Sequence, residues 1–133
     1  MTWADRQSPS LADLEEMAGQ AFQRLPAFVH EHCADLVIRV DDLPDEQVCE
    51  DLGLESPFDL LGLYHGVSLI EKSSFDAVPQ PDMVFLYRLP LLAFWAEGEE
   101  PLGRVVTHVL VHEIGHHFGF SDADMEAIEA AMA

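Results

Sequence analysis

Residues 101–119, PLGRVVTHVLVHEIGHHFG, constrain the fold more than any other stretch of the chain. Pro101 suits a first helical position, and Gly119 suits the left-handed residue that ends a helix. Between them, Val105, Val106, Val109, Leu110, Val111 and Ile114 point in almost every direction around a helical wheel. A helix that is apolar on all sides is normally buried, so the rest of the chain has to wrap around it. Yet the same segment carries His108, His112, Glu113, His116 and His117. Imidazoles and a carboxylate on a core helix are costly without partners. The segment therefore predicts a cleft in which these groups find them.

What surrounds this helix is legible in outline. A chain of 133 residues is one domain by length, read as a flexible N-terminal tail over residues 1–9 and a folded domain over 10–133. In SPSLAD, Ser10 can cap a helix and Asp13 stands three residues on. Leu11, Leu14, Ala18, Ala21, Phe22 and Leu25 then recur at helical spacing until Pro26. LVIRVDD (36–42) alternates as a strand with one buried face. Pro44 and DEQVCEDLG read as a short helix with Gly53 near its end. LLGLYHGVSL (60–69) reads as a glycine-interrupted strand, EKSSFDAVPQPD (71–82) as a loop, and MVFLYR (83–88) as a strand that Pro90 closes. Ser121 with Asp124 caps a last helix, SDADMEAIEAAM. The pattern predicts a compact α+β domain, with a small mixed sheet packed on the N-terminal helix and on the buried one.

Charge narrows the function classes. The chain has 25 acidic residues against 6 basic ones, a formal net charge of −19. Such an acidic protein repels nucleic-acid phosphates and anionic membrane surfaces alike, so neither is expected as a partner. Its apolar stretches are too short to cross a bilayer. MTWADRQSPSLADLEE has no apolar core or cleavage-like end of a targeting signal, which predicts a cytoplasmic protein. Cys33 and Cys49 are too few and too far apart for a cysteine zinc site, and read as reduced thiols.

His112 and His116, four residues apart on a helix, lie one turn and about 40° from each other, so both can bind one metal ion. Glu113 is turned by about 100° from His112, off the ligand direction but within reach of water at the metal. This division suits zinc hydrolysis, in which the metal acidifies a water and a carboxylate takes its proton. The motif continues to HExxHxxGxxD, and the turn at Gly119 can carry Asp122 back towards the two histidines as third ligand. Asp124 and Glu126 are next in line, and Glu129, near the chain end, fits less well. His108 reads as a core or cleft-wall residue, with a supporting role towards the ligands as the alternative. His117 reads as solvent-facing or bonded to backbone, and His30 and His32 as surface residues. Tyr64, Tyr87 and Arg88 are candidates for stabilising an oxyanion.

LLGLYHGVSLIEKSS, MVFLYRLPLL and THVLVHEIGHHFGFSDADM together resemble a small bacterial family of zincin-like metallopeptidases, minimal metalloproteases with an HExxHxxGxxD site on a compact α+β domain. The resemblance covers roughly residues 10–130 and is most specific from residue 60 onward. It implies a compact single-domain zincin-like fold. It also implies one Zn2+ ion held by His112, His116 and Asp122, Glu113 as general base, and a peptide or unfolded protein segment as substrate. MVFLYR would be the sheet edge beside the cleft, to which an extended peptide adds as a strand. Unlike larger metzincin-type enzymes, the chain shows no long subdomain after the site. Met125 falls in a predicted helix and not in a separate methionine turn, which leaves room for a protein partner that completes the cleft.

Two other functions share the metal. A non-catalytic zinc module that binds a peptide or protein suits the small size, but gives Glu113 nothing to do. A metal-dependent ribonuclease of the rRNA-maturation family typified by YbeY has a pattern resembling HGxLHLxGxxH. Here Glu113 follows the first histidine, Asp122 takes the third position, and the charge opposes RNA.

Overall fold

A computed structural model describes residues 2–66 and 82–132. Six α-helices and three strands follow one another along it: α1 (Leu11–Gln23), α2 (Ala27–His32), β1 (Val37–Asp41), α3 (Glu46–Leu52), β2 (Gly62–His65), β3 (Met83–Tyr87), α4 (Arg88–Glu97), α5 (Leu102–Phe118) and α6 (Asp122–Met132). The start of α1 is fixed by a reciprocal cap. Ser10 Oγ accepts from Asp13 N–H, and the Asp13 carboxylate accepts from Ser10 N–H. The Asp45 carboxylate caps α3 by accepting from Val48 N–H, and Gly53 ends the helix in the left-handed region at φ 65°.

The sheet is mixed, in the order β1-β3-β2, with β1 parallel and β2 antiparallel to β3. This corrects the expected place of MVFLYR: β3 is paired on both sides and is the central strand, and of the two edge strands, β1 and β2, it is β2 that meets Glu113 of α5. Register puts Ile38 and Val40 of β1, Val84 and Leu86 of β3, and Gly62 and Tyr64 of β2 on one face. α1 packs on this face over β1, and α5 over β2 and β3, with α1 and α5 also against each other. The shared core includes Leu14, Ala18 and Ala21 of α1, Val106 and Leu110 of α5, and Val84 and Leu86 of the sheet, all with no exposed surface. Each fully buried leucine among them contributes roughly 1.5–3 kcal/mol. The buried helix and the N-terminal amphipathic helix thus share one layer over the sheet.

β3 ends at Tyr87, ahead of Pro90 as expected, and the chain passes directly into α4. Pro90 lies in the first turn of that helix, where the backbone N–H groups have no intrahelical partner and a proline costs little. The strand expected over 60–69 is observed over Gly62–His65. Its residues 67–69, and the expected loop up to residue 81, lie outside the described residues. Among the described residues no helix is long and apolar enough to cross a membrane.

The two cysteines are free but unlike: Cys33 is 4% exposed within the core, and Cys49 is half-buried. Burial, with the nearby Asp82 carboxylate, pushes the Cys33 thiol up to about 11. A raised thiol pKa leaves little thiolate at pH 8, so iodoacetamide should label Cys49 first and reach Cys33 only on unfolding. Peptide mapping of the alkylated chain checks this. Equal labelling of both cysteines in the folded protein would contradict the packing of Cys33.

Candidate metal centre

α5 presents different side chains to three surroundings. Its apolar stripe, including Val105, Val106, Val109, Leu110 and Ile114, is buried against the sheet and neighbouring helices. Glu113 turns towards the sheet edge. His112 turns towards α6, and His116 is exposed near the helix end.

The approach of α5 to the edge strand depends on Gly62. A Cβ there would come within 2.8 Å of Val109 Cγ1 and 3.1 Å of the Phe85 carbonyl oxygen. With no side chain in the way, the Glu113 carboxylate reaches Tyr64 and accepts its backbone N–H at 3.1 Å. Tyr87 N–H donates to the Leu61 carbonyl. By the antiparallel alternation, the N–H groups of Gly62 and Tyr64 therefore face away from β3, along the outer edge. Glu113 is thus held at the rim of the sheet. Burial raises its pKa, while the Tyr64 N–H and the neighbouring His116 act the other way. A carboxylate of raised basicity, held by one fixed donor, is suited to accepting a proton.

α5 ends at Gly119 in a Schellman turn. Phe120 N–H donates to the Gly115 carbonyl at 2.8 Å and Gly119 N–H to that of His116 at 3.3 Å, with Gly119 at φ 73°. Ser121 and Asp124 cap α6 reciprocally, and the helix runs back along α5. A second glycine sets that packing. A Cβ on Gly115 would collide with the Met125 side chain, its Cγ at 2.8 Å, and Met125 is 1% exposed. Glu129 follows Met125 by one turn and comes level with His112.

His112 and His116, a turn apart, have ring centroids 5.8 Å apart and nearly perpendicular planes. Asp122 is the exposed first residue of α6. Asp124 is taken up in the cap, and Glu126 is exposed on α6. Among the described residues, one set of three has its ligand atoms all within 4.8 Å of one another: His108, His112 and Glu129. His116 and Asp122 fall outside it. Burial and the neighbouring His108 lower the His112 pKa, while the Glu129 and Asp122 carboxylates push the other way. The net direction favours neutral imidazole, the form that binds a metal.

The donors fit zinc by their chemistry. Imidazoles one turn apart, with carboxylates on the facing helix, are borderline and hard donors in the combination zinc prefers. Glu129 is the residue that sequence reasoning undervalued. Its signal was the helical hairpin itself: pairing Gly115 with Met125 pairs residues near His112 with Glu129.

The remaining candidates are placed as follows. His117 is exposed, in keeping with its solvent-facing reading, with its ring stacked on Tyr64 at 3.8 Å and 12° between planes. His30 is half-buried with its ring edge-on to Phe22 at 4.8 Å, and His32 is exposed, 5.5 Å from the Phe118 ring. Arg88 is engaged elsewhere, donating to the Pro9 carbonyl at 2.6 Å, Ser8 Oγ at 2.9 Å and Asp42 at 3.2 Å. Tyr87 is 3% exposed, and its hydroxyl is pushed up to about 12 by burial, then by Asp41, Asp45 and Cys49, with Glu113 adding a smaller push. The Tyr64 hydroxyl, also shifted upward by burial, bonds Asp82.

A profile of the zincin-like metallopeptidase family matches residues 33–132, a span that takes in all three strands and both helices of the centre. No curated protein matches the chain.

The Gly115–Met125 contact makes a direct prediction. Gly115→Ala should overpack the helix pair and cost about 1–3 kcal/mol in urea unfolding. Gly103, where an added Cβ meets nothing within 4 Å, supplies the control. Gly103→Ala should be neutral or stabilising by up to about 1 kcal/mol. Equal effects of the two changes would contradict a specific role for the Gly115 contact.

Proposed function

The chain belongs to the zincin-like metallopeptidase family, and we propose that it is a zinc-dependent peptidase that hydrolyses peptide bonds in a short peptide or an unfolded segment. His112 and His116, with Asp122 as the third ligand, would hold one zinc ion. When bound, zinc supplies a Lewis acid that makes water nucleophilic near neutral pH and polarises the scissile carbonyl. Glu113 is the general base: it takes the proton of the attacking water and later delivers it to the leaving amide nitrogen. The observation that carries the reading is the Glu113 carboxylate held at the sheet rim by Tyr64 N–H, on the same helix as the histidine pair. A purely structural metal site has no use for a carboxylate so placed.

The same rim supplies a place for substrate. The edge groups of β2 that face away from β3, other than the Tyr64 N–H that holds Glu113, can take an extended peptide as a further strand, alongside the bond to be cut. Main-chain pairing of this kind is tolerant of side chains and suits unfolded segments. The charge of −19 favours neutral or basic sequences and disfavours RNA. The two unpaired thiols suit action in the cytoplasm. A protein partner seated over the open side of the site would complete the cleft.

Glu113→Gln should keep the zinc ion and lower peptide hydrolysis by roughly 100- to 10,000-fold. A peptide library incubated with zinc-loaded chain, read by mass spectrometry, measures it. Undiminished cleavage by the variant would sink this mechanism. Peptides captured but never cut by the unmodified chain would point to a binding module instead.

A further inference from the structure

Glu129 sets one carboxylate between two imidazoles. Oε1 lies 2.9 Å from His108 Nδ1 and Oε2 lies 3.9 Å from His112 Nε2, while the two rings are 4.0 Å apart at their centroids. Zinc bonds of about 2.0–2.1 Å in a tetrahedral arrangement separate ligand atoms by about 3.3 Å. The three donors, all within 4.8 Å of one another, bracket that spacing. Their arrangement is set by the fold, because the Gly115–Met125 packing holds α6 in the register that brings Glu129 to His112. Exposure grades outward across the trio: the side chains of Glu129 and His112 are 23% and 28% exposed, and that of His108 is 54%. On its outer side the trio borders a surface cavity of about 660 Å³. Glu100, Glu126 and Glu129 line that cavity against Arg24 and Arg104, so its carboxylates outnumber its guanidiniums.

We infer that His108, His112 and Glu129 form a second position for a divalent cation, outside the one assigned to His112, His116 and Asp122, and exclusive of it because His112 serves both. The inference rests on the zinc-peptidase reading only for the composition of the inner set. An ion arriving from the cavity meets His108 and Glu129 first. It is then passed inward by a turn of His112 from one partner set to the other. While it stays outside, Glu113 and His116 have no ion beside them, and the chain holds metal without being competent for hydrolysis. The outer position is thus both an entry point and a reserve, and the balance between the two sets the active fraction.

Zinc binding by the full chain, titrated against a chromophoric chelator, tests this without reference to activity. The unmodified chain should bind one equivalent. Asp122→Asn and Glu129→Gln should each keep that equivalent within about tenfold of the original affinity, because the other position takes the ion. The double variant should bind at least about 100-fold more weakly, a loss well beyond the sum of the single ones. With cobalt(II) as probe, His108→Ala should change the visible spectrum in the Asp122→Asn background more than in the unmodified chain. A double variant no weaker than either single one would overturn the second position, as would a cobalt spectrum indifferent to His108. Either result leaves the peptidase reading standing. A wild-type chain that binds no zinc would overturn both.

Discussion

Two close approaches to α5 determine the rest of the arrangement. At Gly62 the edge strand comes so near the helix that any side chain would strike Val109 and the Phe85 carbonyl. At Gly115 the following helix comes so near that Met125 fills the place of a side chain. The first brings Tyr64 N–H to Glu113, and the second brings Glu129 to His112. Neither is an interaction of large energy. Their effect is positional: a buried helix with polar groups on two sides needs a neighbour on each side that carries the complementary group, and glycine lets both neighbours close in.

The electrostatics of the centre follow from this geometry. Burial pushes Glu113 towards holding a proton and His112 towards giving one up, and each is opposed by neighbours that keep the group in use. One carboxylate of raised basicity and one imidazole of lowered basicity, on successive residues of the same helix, are the two states a hydrolytic metal centre needs. The −19 charge surrounds them with a field that concentrates cations, metal ions included, at a site with few cationic residues to compete.

What could be read from the sequence was whatever depends on residues close together in the chain. The span of α5, its end at Gly119, the reciprocal cap of α1 by Ser10 and Asp13, and the start of α6 after Ser121 are all fixed within a turn of the residues that signal them. The α+β class and the mixed sheet followed from the alternation of such segments. The misreadings concern long-range pairing. β3 has the composition of any good strand, and only its partners Val37–Asp41 and Gly62–His65 make it central. In the centre, the His112, Glu113 and His116 spacing was legible because one helix displays it. The approach of Glu129 was not, because it depends on which face of α6 meets Gly115.

The proposed hydrolysis requires a zinc ion on His112 of α5 while Glu113 remains off the metal, held by Tyr64 N–H. A crystal structure of the zinc-loaded chain, with anomalous data collected at the zinc edge, measures this directly. A zinc peak is expected about 2.0–2.1 Å from a His112 ring nitrogen, with the Glu113 carboxylate outside ligand distance and still accepting from Tyr64. A zinc ion bound away from His112, or one ligated by Glu113 itself, would contradict it.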